Sequence, residues 1–243
     1  MSTGFRRNLH QPLANKEAFL ILGFTMKLGG SDLVKMGAVL FVSHSVANRT
    51  TDALLLCHFW SQASYISDMI MGLSGLITHP GALPVLLCNL YQSALHRQLK
   101  ATWKKMFRTE VSSGQSGIAI LRPSGAALPP GNGDDPDLSR KAIGVAQLCV
   151  AWDEYVSHSN TLVAKVKTFL ESYLEDHVEP SNELLVDQTQ ILWDHINIGF
   201  ERASSLSDSV KHLQERAKIQ VEAVRIIKHC RFCLHFMTLL TGR

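Results

Sequence analysis

The stretch "LSDSVKHLQERAKIQVEAVRII", residues 206–227, carries the clearest fold signal in the chain. Its apolar residues recur at spacings of three and four, interrupted by Gln220, as in an amphipathic helix with a coiled-coil-like seam of about three heptads. The seam consists of Leu206, Val210, Leu213, Ala217, Val224 and Ile227. It predicts either a helix packed inside its own domain or a surface through which copies of the chain self-associate.

Helical patterns continue outward from this stretch over most of the chain. In the second half they predict a helix from Asp137 to about His177, with a weak point near 157–160, and further helices over 182–203 and 205–238. In the first half they predict helices over 14–27, 31–47, 50–73 and 83–109. Only residues 118–121 look strand-like, so we expect an all-α fold.

A segment poor in helix formers separates the two halves. Residues 111–136 are rich in Gly, Ser and Pro, a composition typical of a linker or a long exposed loop. The whole chain has 243 residues, enough for one large or two small cores. We therefore expect two bundle-like helical domains, residues 1–110 and 137–243, joined by a linker over 111–136.

Composition indicates a globular protein in a reducing compartment. Hydrophobic residues make up 46% and charged residues 19% of the chain, unlike a disordered sequence. Five scattered cysteines do not form the even set that a disulfide framework needs. No apolar run reaches the roughly 18–20 residues that span a bilayer, and no secretion signal is recognisable. We expect an intracellular protein of the cytoplasm or nucleus.

Positive charge is concentrated in the first half. Residues 1–110 carry 11 Lys and Arg against 5 Asp and Glu, whereas residues 111–243 carry 13 against 16. In "LHRQLKATWKKMFR", residues 95–108, a helix would place Leu95, Leu99, Trp103 and Met106 on one side. The other side would hold Arg97, Lys100, Lys104, Lys105 and Arg108. This face predicts contact with nucleic-acid phosphates or an anionic membrane; an ordinary solvated helix face is the alternative.

The segment "HCRFC", residues 229–233, resembles half of a zinc signature. Cys230 and Cys233 are three residues apart, and His229 lies four residues before Cys233, so a helix would bring them to one side. A structural zinc ion needs four ligands, and free cysteines are usually buried. We expect a buried helix end that anchors the domain or a partner, with no cofactor. Zinc bound by His229, Cys230 and Cys233, or a redox pair, is the alternative.

The sequence contains no recognisable catalytic motif. It lacks a phosphate-binding glycine loop, a nucleophile elbow and the helical His-Glu-x-x-His pattern of metalloproteases. Eleven histidines are present, and an enzyme site assembled from histidines and acids across helices is the alternative. We expect a protein that is not an enzyme.

Three short segments resemble the matrix proteins of orthomyxoviruses, the influenza-type family. The main one is Ala217-Lys218-x-x-Val221-Glu222-Ala223-Val224-Arg225-x-Ile227. Two shorter similar segments are Ile21-Leu22-Gly23-Phe24 and Gly131-Asn132-Gly133-Asp134. The helical content, the mild positive charge and the basic helix before a linker are also similar to that family.

The resemblance implies a viral structural protein that polymerises beneath the envelope of the virion. Its partners would be further copies of itself, RNA or ribonucleoprotein, and an anionic membrane surface that it contacts peripherally. The basic helix over 95–108 would be the analogue of the family's RNA- and lipid-binding helix. Two alternatives stay open: a small helical RNA-binding nucleoprotein, and a cytosolic helical adaptor or scaffold with no nucleic-acid role.

Overall fold

The computed structural model describes residues 21–28, 37–45, 48–58, 60–73, 75–113, 137–178 and 182–241. Its strands are β1 (Ile21–Leu28), β2 (Ala38–Ser45) and β3 (Thr50–Cys57). Its helices are α1 (Trp60–Met71), α2 (Ala82–Ser112), α3 (Leu138–His177) and α4 (Glu183–Thr241). The described chain is therefore mostly helical, with one small sheet.

The sheet corrects the prediction of an all-helical first half. The strands form an antiparallel sheet in the order β1-β2-β3, with Ile21 opposite Ser45 and Ala38 opposite Cys57. The helices predicted over 31–47 and 50–73 are wrong over 38–45 and 50–57, where β2 and β3 lie; residues 31–36 and 46–47 lie outside the described part. The helix predicted over 14–27 is wrong from Ile21 onward; residues 14–20 lie outside the described part.

The strands escaped recognition because both faces of the sheet carry apolar residues. Along β2, Ala38, Leu40 and Val42 face inward and are buried. On the outer face, Phe41 is exposed beside the neighbouring Leu54. A continuous apolar run hides the alternation that marks a half-buried strand, and periodicity alone cannot separate it from a buried helix.

The long helices largely confirm the sequence prediction. The helix predicted over 83–109 is α2, and the one predicted from Asp137 to about His177 is α3, which passes through 157–160 without a break. The two helices predicted over 182–203 and 205–238 form one continuous helix, α4. It starts after Asn182, whose side-chain oxygen accepts a hydrogen bond from the backbone N–H of Leu185 at 3.4 Å.

The chain divides into two compact units, and the division does not follow the predicted linker. The first unit comprises residues 1–96 and 155–205, and the second comprises residues 97–154 and 206–243. Each of α2, α3 and α4 thus contributes one segment to each unit. Domains 1–110 and 137–243 are not confirmed as separate bodies. Residues 114–136 of the predicted linker, with the strand-like 118–121, lie outside the described residues.

In the first unit, the inner face of the sheet and the helix segments share a core that includes Leu40, Leu87, Leu162 and Ile196. Gly81 precedes α2 at a point where α3 approaches closely: a Cβ atom there would lie 2.4 Å from a methyl carbon of Leu170. Any larger residue at this position would therefore require the side chain of Leu170 to move.

The second unit packs the remaining helix segments on one another. Trp152 of α3 is buried, and its indole N–H donates to Thr102 of α2 at 3.0 Å. Leu138 and Ala142 of α3 form a buried cluster with Val224 of α4. Within the ranges given above, no helix combines the length and apolarity that a membrane crossing would require.

Candidate functional site

The cations predicted between residues 97 and 108 lie on the solvent side of α2, in the second unit. These five side chains, called the basic face below, are Arg97, Lys100, Lys104, Lys105 and Arg108, and all are exposed. The other side of the helix is buried, with Leu99 only 3% and Met106 only 1% exposed. At 1.5 Å per residue, the basic face extends over roughly 17 Å of helix.

The positive charge of the basic face is not compensated locally. The only acidic residue of α2 is Glu110, and its side chain is buried away from the basic face. Glu110 pairs with Arg216 of α4: the Nε of Arg216 donates to Oε1 at 2.8 Å, and its Nη2 donates to Oε2. Among the described residues, no cation of the basic face forms an ion pair. The face therefore presents uncompensated cations to solvent.

Two apolar side chains lie among these cations. Phe107 is 40% and Val111 45% exposed. On a helix, Phe107 lies three residues after Lys104 and Val111 lies three residues after Arg108, so each apolar side chain borders a cation of the basic face. This mixture of exposed cations and apolar groups is typical of a helix that lies at a membrane interface.

The predicted self-association seam is covered by the chain itself. Its members Leu206, Val210, Leu213, Ala217 and Val224 are between 0% and 4% exposed, and Ile227 is half-buried. Gln220, which interrupts the seam, is also buried and accepts a hydrogen bond from the hydroxyl of Ser113 at 3.0 Å. The seam therefore packs inside the second unit, and a second copy could reach it only by displacing these contacts.

The cysteine pair near the end of α4 is exposed, which corrects the prediction of a buried helix terminus. Cys230, Cys233 and His229 are all accessible to solvent. Cys233 lies one turn beyond His229, and its Sγ is 3.9 Å from Nε2 of the histidine. These three residues are not buried because they lie on a different side of α4 from the seam, which is the side that the rest of the unit covers. The side chains of 234–241 lie outside the described residues.

A hydrogen-bonded histidine network in the first unit was not predicted. His79 is buried, and its Nδ1 accepts the backbone N–H of Gly81 at 3.0 Å. Its Nε2 lies 3.0 Å from the hydroxyl of Thr189, which itself donates to the carbonyl of Leu185. The Nε2 must therefore carry the proton, and the imidazole is neutral. Burial, with a smaller effect of His44, lowers the pKa of His79 to about 3.

A second hydrogen-bonded set surrounds His44 on the inner face of β2, and the ring of Tyr173 contacts both imidazoles edge-on. The hydroxyl of Thr51 donates to the carbonyl of Thr78, so it accepts from Nδ1 of His44, at 2.9 Å. Nε2 of His44 then accepts the hydroxyl of Tyr173, at 3.2 Å. Because both nitrogens of His79 are already hydrogen-bonded within the chain, this imidazole has a structural role. No local sequence pattern could have revealed the network, since its members lie far apart in the chain.

Comparison of the chain with protein-family models, with curated proteins and with solved structures found no match. The resemblance to orthomyxovirus matrix proteins thus stays a hypothesis. Any function assigned to the chain must be argued from its own surface.

Proposed function

We propose that this chain is a non-enzymatic assembly protein that binds phosphate groups, above all those of RNA, through the basic face of α2. The observation that carries the proposal is the exposure of five cations on a helix whose only acid is buried and paired. Such a face attracts a polyanion because bound phosphates release their condensed counterions into solution. The resemblance to matrix proteins agrees with this proposal and supplies the expectation of self-association.

RNA binding should fall steeply with salt. If all five cations contact phosphates of a single strand, the logarithm of the binding constant should fall with the logarithm of salt concentration with a slope of about −3.5. Replacing Lys100, Lys104 and Lys105 by Glu should reduce that slope by about 2 units and abolish measurable binding at moderate salt. The measurement is fluorescence anisotropy of a short labelled RNA titrated between about 50 and 200 mM salt.

A matched control is available on α4. Lys211, Lys218 and Arg225 are also exposed cations of the second unit, and Lys211 and Arg225 have acidic neighbours, Asp208 and Glu222. Replacing these three by Glu gives the same change of net charge and should leave the salt slope almost unchanged. Equal losses in the two triple variants would reduce the effect to net charge and contradict a specific site. Absence of RNA binding by the unmodified chain at low salt would also contradict the proposal.

An anionic membrane surface is a second candidate ligand, favoured by the exposure of Phe107 and Val111 beside cations of the basic face. Insertion of these two side chains at the headgroup level would add apolar burial to the charge attraction. We expect replacement of both by Ser to weaken binding to phosphatidylserine vesicles about tenfold or more, since each buried side chain contributes roughly 1.5–3 kcal/mol. RNA affinity should stay the same.

Vesicle flotation measures this second prediction, with phosphatidylcholine vesicles as the uncharged control. If replacing Phe107 and Val111 does not change the affinity for anionic vesicles, charge is the only attraction, and the proposed insertion of these side chains into the membrane is contradicted. A chain that binds neither RNA nor anionic vesicles would instead behave as the adaptor alternative predicts.

A further inference from the structure

A second apolar stripe runs along α4, on a different side from the covered seam. Ile219 is 64% and Ile226 61% exposed, and Cys230 and Cys233 follow on the same side. Their separations of seven, four and three residues keep the four side chains within about a quarter of the helix circumference. The sequence continues this spacing with Met237 and Leu240. An apolar stripe on an exposed helix is typical of a surface that another helix covers.

His229 borders this outer stripe, defined as Ile219, Ile226, Cys230 and Cys233, and it is positioned to share a ligand with Cys233. A tetrahedral zinc ion with ordinary Zn–S and Zn–N distances holds its sulfur and nitrogen ligands about 3.6 Å apart. The observed distance from Sγ of Cys233 to Nε2 of His229 is 3.9 Å. The pair thus needs only a small side-chain adjustment to chelate zinc, and both groups face solvent.

One chain supplies only part of a zinc site. Among the described residues, no group of three or more His, Cys, Asp or Glu side chains converges on a common point. Structural zinc takes four protein ligands. A second copy of the same helix, related by a two-fold axis, carries an identical His–Cys pair and completes the set. The apolar stripe beside the pair provides the surface on which the two helices meet.

We propose that zinc joins two copies of this chain at α4, with His229 and Cys233 of each copy as the four ligands. This inference deepens the self-association part of the proposed function, and it is independent of phosphate binding. Each Cys233 loses its thiol proton when it binds, and each His229 binds as neutral imidazole. Two protons are released per zinc ion, and two thiolates balance the charge of Zn²⁺. The metal is therefore held without net charge beside an apolar surface.

The other thiols of the described chain are poor competitors for the metal. Burial raises the pKa of the partly buried Cys57, that of Cys88 to about 12 and that of Cys149 to about 11, so these three thiols stay protonated. Cys230 is exposed like Cys233, but it adjoins His229 in sequence and points about 100° away from it on the helix. Cys230 therefore serves as the matched control thiol.

The test measures mass and metal content of the full chain together, under a reductant that contains no thiol. With zinc added, native mass spectrometry and light scattering should show a dimer with one zinc ion per two chains, and a chelator should return monomers. Cobalt substituted for zinc should give the intense visible absorption of a tetrahedral site with thiolate ligands. Proton release, followed with a pH indicator, should approach two per metal ion.

The variants separate the proposed ligands from their neighbours. Replacing Cys233 by Ser or His229 by Ala should lower zinc affinity by more than about 10–100-fold, the loss caused by removing even an outer-shell partner. Replacing Cys230 by Ser alters the outer stripe but removes no ligand, so zinc affinity should fall far less than in the Cys233 and His229 variants, and cobalt should still give the absorption of a tetrahedral thiolate site. Zinc bound one per monomer, a dimer that ignores the chelator, or loss of zinc in the Cys230 variant alone would each overturn the proposal.

Failure of the zinc-dimer proposal can be distinguished from failure of the RNA-binding proposal. The Cys233→Ser chain should retain the full salt slope for RNA per monomer, whereas the triple Glu variant of the basic face should still bind zinc and dimerise.

Discussion

Replacing Arg216 by Met should destabilise the chain by about 3 kcal/mol, one of the largest single losses that the structure predicts. The Glu110 side chain is 5% exposed, and Arg216 is its ion-pair partner. Without the guanidinium, the carboxylate stays in a low-dielectric site without its counter-charge. The same change removes the guanidinium from the face of Trp103, where it lies 5.1 Å from the ring centre. Urea denaturation followed by circular dichroism measures the loss.

Two control variants isolate the cause of this loss. Replacing Arg225 by Met removes an exposed ion pair with Glu222, which should contribute at most about 1 kcal/mol. Replacing Glu110 by Gln together with Arg216 by Met should recover part of the stability, because no buried charge is then left unpaired. A cost at Arg216 no greater than that at Arg225 would show that solvent or another group compensates Glu110.

Acid should destabilise the protein through His79. Its pKa is about 3 in the folded chain against 6.5 ordinarily, so between these values the unfolded chain binds a proton that the folded chain does not. The contribution of neutral His79 to the free energy of unfolding is therefore fully present above pH 6.5. It falls as the pH decreases, by up to about 1.4 kcal/mol per pH unit. Protonation of Nδ1 would also break its hydrogen bond from the N–H of Gly81.

A variant with Gln in place of His79 tests this assignment. Gln can keep an acceptor and a donor in the site but does not titrate, so the dependence of unfolding free energy on pH between 4 and 6.5 should become shallower by about 1 kcal/mol per pH unit. Gln in place of the exposed His195 is the matched control and should leave the slope unchanged. An unaltered slope in the His79 variant would assign the acid sensitivity to other groups.

The part of the site that the sequence predicted is the part built from one helix. The five cations of the basic face and the buried Leu99 and Met106 all lie within residues 97–108, so helical phase alone assigns them to opposite sides. The long helices were predictable for the same reason, because each repeats an apolar period over many turns. Asp137 marks the start of one of them.

What the sequence left open depends on residues that are distant along the chain. A strand with apolar residues on both faces cannot be told from a helix until its neighbours in the sheet are known, as in β2. The pairing of Glu110 with Arg216 and the network of His79 join residues more than 100 positions apart.

The seam of α4 and its outer stripe show the same difference between what local spacing predicts and what packing decides. Sequence alone determined that Leu206, Val210 and Leu213 form an apolar row at helical spacing. Only the tertiary structure decided that this row is covered within the chain, whereas Ile219, Ile226 and Cys233 stay exposed. Local periodicity fixes which side chains share a side of a helix, because it depends on backbone geometry alone. Which side is buried depends on the segments that pack against it, and those come from elsewhere in the chain.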